Sequence, residues 1–291
     1  MSKQPSISIV LPAFNEEKGL ELLLPELSEL YPTYEILVID DGSTDSTKAI
    51  CNRNKARVIT HPYSMGNGAA IKTGARNAQG DLIVFMDADG QHKAKDIKLL
   101  IEKLNREHFD MVVGARSLST HSSRIKRAGN WFFNRFASIM TGHTILDLTS
   151  GFRVVNADIF RKFLYLLPNG FSYPTTSTMA FFRSAYPVGY VKIHAGIRQE
   201  GTHSNIKVLR DGIRFFVIIL KIGALFSPMR LFLPLSGIIF ITGLSYYAYT
   251  YITDNRFTNM SALLMISSLM IFLIGILSEQ ISSLHYRDKD K

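Results

Sequence analysis

Cysteine, tryptophan and acidic charge are all scarce in this sequence. Cys51 is the single cysteine of 291 residues, which excludes an intramolecular disulfide and a thiolate zinc site and favours a reducing compartment. The 33 Lys and Arg outnumber the 24 Asp and Glu, and the net charge of +9 favours an anionic partner. Nucleic acid, phospholipid headgroups and phosphorylated small molecules all fit that description. Residues 1–5 are polar and run straight into a predicted strand, so we expect no cleaved signal peptide.

Two common nucleotide-binding motifs are also missing. Gly66-Asn67-Gly68 opens a predicted helix with Lys72 one turn in, yet the segment is neither Gly-x-Gly-x-x-Gly nor a Walker sequence. This disfavours a dinucleotide-dependent dehydrogenase. We interpret the loop as a place of close packing beside a ligand.

The composition changes sharply near residue 205. Before that point, short apolar runs alternate with amphipathic helical stretches, which indicates β-α-β units, an α/β fold and a mainly parallel sheet with flanking helices. The predicted strands are 6–11, 35–39, 57–60, 82–86 and 111–113.

Two long apolar stretches follow, at 231–252 and 260–278. Each is long enough to cross a bilayer, so we predict a transmembrane hairpin in 229–285, with helices at about 231–252 and 260–281, rather than a buried hairpin of a soluble protein. Basic residues precede the first stretch and follow the second, whereas the connecting loop carries only Arg256. This asymmetry predicts that both termini, including the tail 286–291, and the domain 1–206 are cytoplasmic.

Residues 207–228 form a separate predicted element. Basic residues, among them Arg210, Arg214 and Lys221, recur at helical spacing, and apolar residues cover the rest of the surface. We interpret this stretch as an amphipathic helix in the membrane interface. The alternative is a helix that packs on the domain and exposes a solvated basic face.

The run 82–86 stops at two carboxylates, Asp87 and Asp89. In open α/β sheets, ligands lie beyond the carboxyl ends of the strands, so both carboxylates are expected at a ligand-binding edge. Two neighbouring carboxylates attract a hard cation, and Mg²⁺ or Mn²⁺ fits best because substrate phosphates can complete its shell. Taken alone, Asp-x-Asp is equally consistent with a solvated turn.

Polar residues follow two other predicted strands. Phe14 and Glu16 come after the first, and Asp40 and Asp41 end the second, so we expect all four near the carboxylate pair. An aromatic ring and carboxylates can bind a base and a ribose. Ser43 to Thr47 can equally form a helix N-cap with acidic first-turn residues.

These motifs resemble family 2 glycosyltransferases of the GT-A (Rossmann-like) fold. The resemblance is carried by Pro-Ala-Phe-Asn-Glu at 12–16, Asp-Asp-Gly-Ser-x-Asp at 40–45, Gly-Asn-Gly at 66–68 and Asp-Ala-Asp-Gly-Gln-His at 87–92. Further segments at 113–116, 148–153 and 198–201 are similar to the branch of dolichol-phosphate mannose synthase and bacterial polyprenyl-phosphate glycosyltransferases. The similarity covers nearly the whole chain.

The resemblance implies a role for each matching position. The implied donor-nucleotide residues are Pro12, Ala13, Phe14, Glu16, Asp40, Asp87, Ala88 and Asp89. The implied metal ligands for Mg²⁺ or Mn²⁺ are Asp87, Asp89 and Gln91. The implied acceptor-phosphate residues are Arg116, Arg127, Arg198, Ser204 and Lys207, and the implied catalytic residues are Asp89, Arg116 and Arg198.

Some assignments stay open at this point. Arg124 and Lys126 compete with Arg127, and the arrangement at 201–207 departs from the family pattern, so His203 and Ser204 compete with Lys207. Lys93 and Ala94 also stand where relatives often have prolines. The resemblance implies an acceptor-site turn at 149–152, and the alternative is a turn held only by a structural ion pair of Asp147 with Arg153.

The function implied by the resemblance is inverting, metal-dependent transfer of one hexose from a nucleotide sugar, of the GDP-mannose or UDP-glucose type, to a polyprenyl phosphate. The partners would be the nucleotide sugar, the lipid acceptor and the membrane, with no nucleic acid. One alternative is a processive polysaccharide synthase, but Gln-x-x-Arg-Trp is absent. Another is a non-enzymatic lipid-binding or partner-binding module. The sequence leaves open the base, the sugar, the polyprenol and the oligomeric state, including a homo-oligomer.

Overall fold

A computed structural model describes residues 5–116, 124–170, 172–193 and 208–287. The side chains of 124–127, 208–212, 214–215, 226 and 283–287 lie outside this description. The chain divides into two compact units, one of Met1–Arg135 with Thr144–Phe215 and one of Phe136–His143 with Phe216–Lys291.

The first unit alternates strands and helices. Its strands are β1 (Ile7–Ala13), β2 (Glu35–Asp40), β3 (Arg57–Thr60), β4 (Leu82–Phe85), β5 (Met111–Arg116), β6 (Arg153–Asn156) and β7 (Val188–Ile193). Its helices are α1 (Glu17–Leu30), α2 (Thr47–Arg53), α3 (Asn67–Asn77), α4 (Asp96–Glu107), α5 (Arg124–Thr141), α6 (Ala157–Lys162) and α7 (Tyr173–Arg183), and a 3-10 turn lies at Leu164–Leu166. The last residues of α5 belong to the second unit.

The seven strands form one sheet in the order β3-β2-β1-β4-β6-β5-β7. Every pairing is parallel except those of β6, which runs antiparallel to both β4 and β5. The predicted α/β fold with a mainly parallel sheet is therefore confirmed, as are the five predicted strands. Strands β6 and β7 were not predicted.

The sheet core explains where ligand-binding residues can lie. The strands β1, β2 and β4 are buried along nearly their whole length, as both faces of a covered parallel sheet require. Helices α1 and α4 bury one apolar stripe each, including Leu20, Leu24 and Leu27 of α1 and Ile97 and Leu100 of α4. Polar residues that follow the carboxyl ends of these strands are thus concentrated at one edge.

The second unit is mainly helical. It contains most of α8 (Val208–Phe226), all of α9 (Pro228–Asp254) and all of α10 (Asn259–Arg287). Residues Pro228–Asp254 and Asn259–Ser282 are long and apolar enough to cross a membrane, by length and composition. The predicted spans, 231–252 and 260–281, lie inside them.

The helices α9 and α10 run antiparallel. Ser268 donates a hydrogen bond to the Ser236 carbonyl at 2.9 Å. Gly243 lies against Leu264, and Gly275 lies against Phe232, at distances that leave no room for a Cβ atom. Small residues at these crossings let the two backbones approach closely, as apolar helix pairs in membranes require.

Candidate active site

The Asp87-Ala88-Asp89 turn follows β4 directly. Both carboxylates are half-buried and Ala88 is buried. Asp89 Oδ1 accepts a hydrogen bond from the backbone N–H of Gln91 at 3.1 Å. Helix α1 lies close behind the turn, since a Cβ atom at Gly19 would lie 2.0 Å from the Ala88 carbonyl oxygen. The turn is therefore held between the sheet and α1.

The loops after β1 and β2 form one side of this site. Ala13 pairs with Asp40 in the parallel register, and the Asp41 amide donates to the Ala13 carbonyl at 2.8 Å. Asp40 Oδ1 accepts from the Ser43 amide at 2.9 Å. Phe14 leaves 49% of its surface exposed, so its ring is available to a ligand.

Side chains lock these two loops together. Asn15 adopts a left-handed conformation with φ 55°, and its Oδ1 accepts from the Thr44 amide at 2.8 Å. The Glu17 amide donates to Asp45 at 3.1 Å, and the Ser46 amide donates back to Glu17 at 3.1 Å. Polar side chains here satisfy backbone N–H groups of the neighbouring loop, which fixes the loop shapes without apolar packing.

Asp41 has a different role from Asp40. Its carboxylate accepts from His61 Nδ1 at 2.6 Å and from the Met65 and Gly66 amides at 2.9 and 2.8 Å. Burial opposes ionisation, but these hydrogen bonds outweigh it and hold the pKa of Asp41 below its ordinary value. Asp41 was expected beside Asp87 and Asp89, yet its carboxylate holds the loop before α3.

The glycines of that loop fit another part of the chain. Gly66 has φ 99°, and a Cβ atom at Gly68 would lie 2.0 Å from the Pro168 carbonyl oxygen. Lys72 donates to the Leu167 carbonyl at 3.1 Å and to Asn169 Oδ1. Close packing beside a ligand was expected for this loop, but the structure shows its glycines packed against the protein's own segment 167–170.

Arg116, at the end of β5, lies on the other side of the carboxylate turn. Its Nε and a terminal nitrogen donate to the two carboxylate oxygens of Asp147 at 2.9 and 3.2 Å. Burial lowers the pKa of Arg116, but Asp147, with smaller contributions from Asp87 and Asp89, raises it above its ordinary value. The alternative interpretation, an ion pair of Asp147 with Arg153, is not observed, because the residues after Asp147 run alongside β5 and bring Asp147 to Arg116.

The turn 149–152 contacts the carboxylate corner. The Phe152 carbonyl accepts from the Gly114 amide at 2.9 Å, and Ser150 Oγ donates to the Gly114 carbonyl at 2.7 Å. A Cβ atom at Gly151 would lie 2.9 Å from Asp87 Oδ2. A side chain at position 151 would therefore collide with the Asp87 carboxylate.

His92 is buried behind the same corner. Its ring stacks on Phe152 with the ring centroids 4.9 Å apart. Burial lowers the pKa of His92 to about 4, so the ring is neutral at neutral pH. No hydrogen-bond partner for its Nδ1 is found in the described part of the chain.

The oxygen donors fit a hard divalent cation. Asp87, Asp89 and Gln91 lie within five consecutive residues and offer two half-buried carboxylates and an amide. In the described residues there is no group of three or more His, Cys, Asp and Glu side chains that could complete a protein-only cage. Such a partial ligand set suits Mg²⁺ or Mn²⁺, which retain water or take phosphate oxygens as further ligands.

The other predicted site residues divide into two groups. Pro12, Ala13, Phe14, Glu16 and Asp40 lie at or just after the ends of β1 and β2, and Arg116 lies at the end of β5. Arg198, Ser204, Lys207 and the Arg127 side chain lie outside the described residues. Sequence reasoning missed Tyr173, which lies outside every motif that it singled out, and it named Gly151 and Arg153 only as part of the motif at 148–153.

Comparison with known proteins agrees with this geometry. Residues 8–164, more than half of the chain, match Glycosyl transferase family 2, and residues 227–284 match the GtrB C-terminal hairpin. The chain belongs to glycosyltransferase family 2. This glycosyltransferase is 25% identical to dodecaprenyl-phosphate galacturonate synthase of Rhizobium johnstonii, over 97% of its own length and 89% of the relative's.

Two further relatives agree with the branch that the motifs resemble. The enzyme is 33% identical to dolichyl-phosphate beta-glucosyltransferase ALG5D of Trichomonas vaginalis, over 53% of its own length and 54% of the relative's. It is 24% identical to glycosyltransferase AglJ of Haloferax volcanii, over 98% and 96%. The resemblance to the polyprenyl-phosphate branch of the family is thus confirmed.

A solved structure supports the fold. Glucosyl-3-phosphoglycerate synthase of Mycobacterium tuberculosis, in complex with Mn²⁺, UDP and glucosyl-3-phosphoglycerate, superposes with a TM-score of 0.62. The match covers 76% of this glycosyltransferase and 80% of that protein, at 20% identity. That structure contains a divalent metal and a nucleotide on a similar fold.

Proposed function

We propose that this glycosyltransferase transfers one sugar from a nucleoside-diphosphate sugar to a polyprenyl phosphate, with inversion and with help from a divalent metal. One observation carries the proposal: Gly151, in the turn that resembles an acceptor site, lies against Asp87 of the carboxylate turn. A lipid phosphate bound at the turn that contains Gly151 would then lie next to a donor diphosphate bound at Asp87. The printed names of the polyprenyl-phosphate relatives support the same acceptor class.

The donor would lie along the ends of β1, β2 and β4. Phe14 offers an exposed ring for stacking on the base, and Pro12, Ala13, Glu16 and Asp40 supply the surrounding surface. Asp87, Asp89 and Gln91 would hold Mg²⁺ or Mn²⁺ at the diphosphate. When bound, the metal supplies positive charge that stabilises the leaving diphosphate.

The acceptor phosphate needs no general base, since its oxygen is already ionised at neutral pH. In the proposed reaction, a phosphate oxygen forms a bond to the anomeric carbon while the bond from that carbon to the diphosphate oxygen breaks. The protein would align the two groups and supply cations for their charge. Arg116 is fixed by Asp147 in a geometry that can offer its remaining donors to a phosphate, and Arg198, Arg127, Ser204 and Lys207 are proposed to assist.

The donor sugar is the least defined part of the proposal. A hexose from GDP-mannose or UDP-glucose was expected, and the printed names of relatives specify galacturonate and glucose. We therefore include a hexuronate among the candidates. We propose single transfer rather than polymer synthesis because the described residues hold two helices of membrane-spanning length, too few to enclose a polymer channel.

The proposal is tested by incubating the purified full-length protein with polyprenyl phosphate and a panel of UDP- and GDP-sugars, with Mg²⁺ or Mn²⁺, and recording the lipid mass. We expect one donor to add one sugar. Asp158→Ala is the matched control for loss of a site carboxylate, as in Asp89→Ala. Asp158 is exposed, pairs with Arg161 and lies far along the sequence from the carboxylate turn. Failure of every donor, or addition of many sugars, would rule out the proposed reaction.

We further propose that α9 and α10 span the membrane, with the catalytic unit and both termini in the cytoplasm. The described loop between them, 255–258, carries one basic residue, Arg256, whereas Lys221 precedes α9 and Arg230 lies in its first turn. Helix α8 is proposed to lie in the interface, where its exposed Ile213, Phe216 and Val217 would face lipid.

Cysteine labelling of intact cells tests this topology. Because Cys51 is buried, background labelling by an impermeant maleimide should be low. Asn255→Cys should react with the impermeant maleimide in intact cells. Glu102→Cys, at an exposed position of α4, should react only after lysis. Reaction of Glu102→Cys in intact cells would reverse the proposed orientation.

A further inference from the structure

Arg153 is a buried cation whose hydrogen-bond acceptors are all uncharged. Its side chain, at the start of β6, is 0% exposed. None of the ion pairs of the described residues includes it, and Asp147, the acidic residue that precedes it most closely in sequence, pairs with Arg116 instead. Burial of an ionised group without a charged partner is costly, and an apolar residue of similar size would fill the same space at lower cost.

The guanidinium of Arg153 joins two separate segments. One terminal nitrogen donates to the Pro174 carbonyl at 3.2 Å, to Ser177 Oγ at 2.7 Å and to Thr178 Oγ1 at 3.1 Å, all in α7. The other terminal nitrogen donates to the Ser150 carbonyl. Arg153 therefore connects the first turns of α7 to the turn before β6.

Tyr173 holds the next peptide of that turn. Its hydroxyl donates to the Gly151 carbonyl at 2.8 Å, and its ring lies 5.4 Å from the guanidinium carbon of Arg153. Both side chains are fully buried or nearly so. Two buried donors thus fix two consecutive carbonyls, those of Ser150 and Gly151.

The fixed turn lies directly against a proposed metal ligand. A Cβ atom at Gly151 would lie 2.9 Å from Asp87 Oδ2, 3.3 Å from Oδ1 and 3.3 Å from the Tyr173 hydroxyl oxygen. The backbone of Gly151 therefore lies close beside the Asp87 carboxylate. A small shift of this backbone would change the space available to the carboxylate.

We propose that Arg153 and Tyr173 are positioning residues for Asp87. They hold the Ser150–Gly151 backbone in contact with the Asp87 carboxylate, which keeps that carboxylate in the place where the metal and the donor diphosphate bind. This inference rests on the proposed function, because it takes Asp87 and Asp89 as the metal and diphosphate ligands. Neither Arg153 nor Tyr173 is assigned contact with substrate.

The test measures binding rather than turnover. Mn²⁺ binding to the purified full-length protein is followed by electron paramagnetic resonance with UDP or GDP present, and the melting temperature of each variant is recorded. Tyr173→Phe removes the hydroxyl bond to Gly151 and keeps the ring, and Arg153→Lys keeps the charge but cannot bridge both segments. Arg161→Met is the matched control, since Arg161 also donates to backbone carbonyls, those of Ala75 and Ala78, but at the end of α3.

We expect Tyr173→Phe and Arg153→Lys to weaken Mn²⁺ binding in the nucleotide complex about tenfold or more, because residues that orient metal ligands typically have effects of that size. Arg161→Met should lower the melting temperature without changing Mn²⁺ affinity. Should Arg153→Lys fail to fold, Tyr173→Phe alone decides the matter.

Two different failures can be told apart. Mn²⁺ and nucleotide binding that is absent in wild type, or unchanged by Asp89→Ala, would overturn the proposed donor site and the inference with it. Binding that depends on Asp89 but is unchanged in Tyr173→Phe would overturn the positioning role alone. Wild-type Mn²⁺ affinity in both Arg153→Lys and Tyr173→Phe would likewise reject the positioning role.

Discussion

The two sides of the Asp87-Ala88-Asp89 turn are built from opposite chemistry. On the side of β1 and β2, amide, hydroxyl and carboxylate oxygens accept backbone N–H groups, as Asn15 and Glu17 do. On the side of β5 and β6, guanidinium groups donate to a carboxylate and to carbonyls, as Arg116 and Arg153 do. Acceptors dominate one side and cations the other.

This difference matches the parts of the proposed substrates. A nucleoside presents N–H and O–H donors, which an acceptor-rich side can bind without a net charge. A phosphate acceptor and a departing diphosphate are anionic and need fixed cations, a role that Arg116 can take but the fully buried Arg153 cannot. The division implies that variants on the first side should alter donor binding and that variants of Arg116 should alter use of the lipid, whereas the buried Arg153 would act on the donor site through Asp87.

Removal of the Asp89 carboxylate, in the turn that both sides share, should have the largest effect. Asp89→Ala is expected to lower turnover about 10³-fold and to abolish metal-dependent nucleotide binding, with the fold intact, because it removes stabilisation of the leaving group. Turnover by mass spectrometry and circular dichroism check the two parts. Wild-type turnover in this variant would contradict the proposed role of a metal held by Asp89.

A change on the cationic side should have the next largest effect. Arg116→Lys keeps the charge but loses the two-oxygen contact with Asp147, so we expect KM for polyprenyl phosphate to rise about tenfold while the affinity for the nucleotide stays within about twofold. Steady-state kinetics with each substrate varied in turn measure both. Equal losses for donor and acceptor would contradict the division between the two sides.

Support behind the turn is tested by Gly19→Ala. The added Cβ atom would collide with the Ala88 carbonyl, so we expect a loss of about 1–3 kcal/mol in the free energy of unfolding, measured with denaturant. Gly129→Ala is the control, because nothing in the described residues lies within 4 Å of its added Cβ atom. Equal stability of both variants would mean that α1 does not constrain the turn.

The smallest expected effect is at Asp41, on the acceptor-rich side. Asp41→Asn should cost about 1–2 kcal/mol of unfolding free energy at neutral pH. The folded pKa of Asp41 lies below its ordinary value of 3.8, so its ionised form stabilises the protein above that pH, and the contribution is lost as pH falls through the folded pKa. The difference between wild type and variant should therefore shrink below about pH 4. A difference that grows there would reverse the sign of the pKa shift.

Sequence patterns predicted the parts of the fold that depend on local periodicity. Strands such as β4 are continuous apolar runs, and Asp87 and Asp89 follow at the carboxyl edge because the run ends there. Strand β6 escaped prediction since it is four residues long and begins with a fully buried arginine. Nothing in the local pattern shows that it inserts antiparallel between β4 and β5.

The same limit applied within the site. The sequence allowed an ion pair of Asp147 with Arg153 as an alternative, but the turn 149–152 runs along β5 and Asp147 pairs with Arg116. Asp40 and Asp41 are adjacent and identical, and only the packing of the loop before α3 separates their partners. Roles set by contacts between distant segments require the three-dimensional structure.

The central claim is that a lipid phosphate oxygen, and not a hydroxyl group, receives the sugar. The most direct measurement is the ³¹P NMR spectrum of the purified lipid product. The account predicts that the phosphomonoester signal of the polyprenyl phosphate is replaced by one phosphodiester signal, with one sugar per lipid by mass. A product that carries the sugar while keeping its phosphomonoester signal would contradict the account.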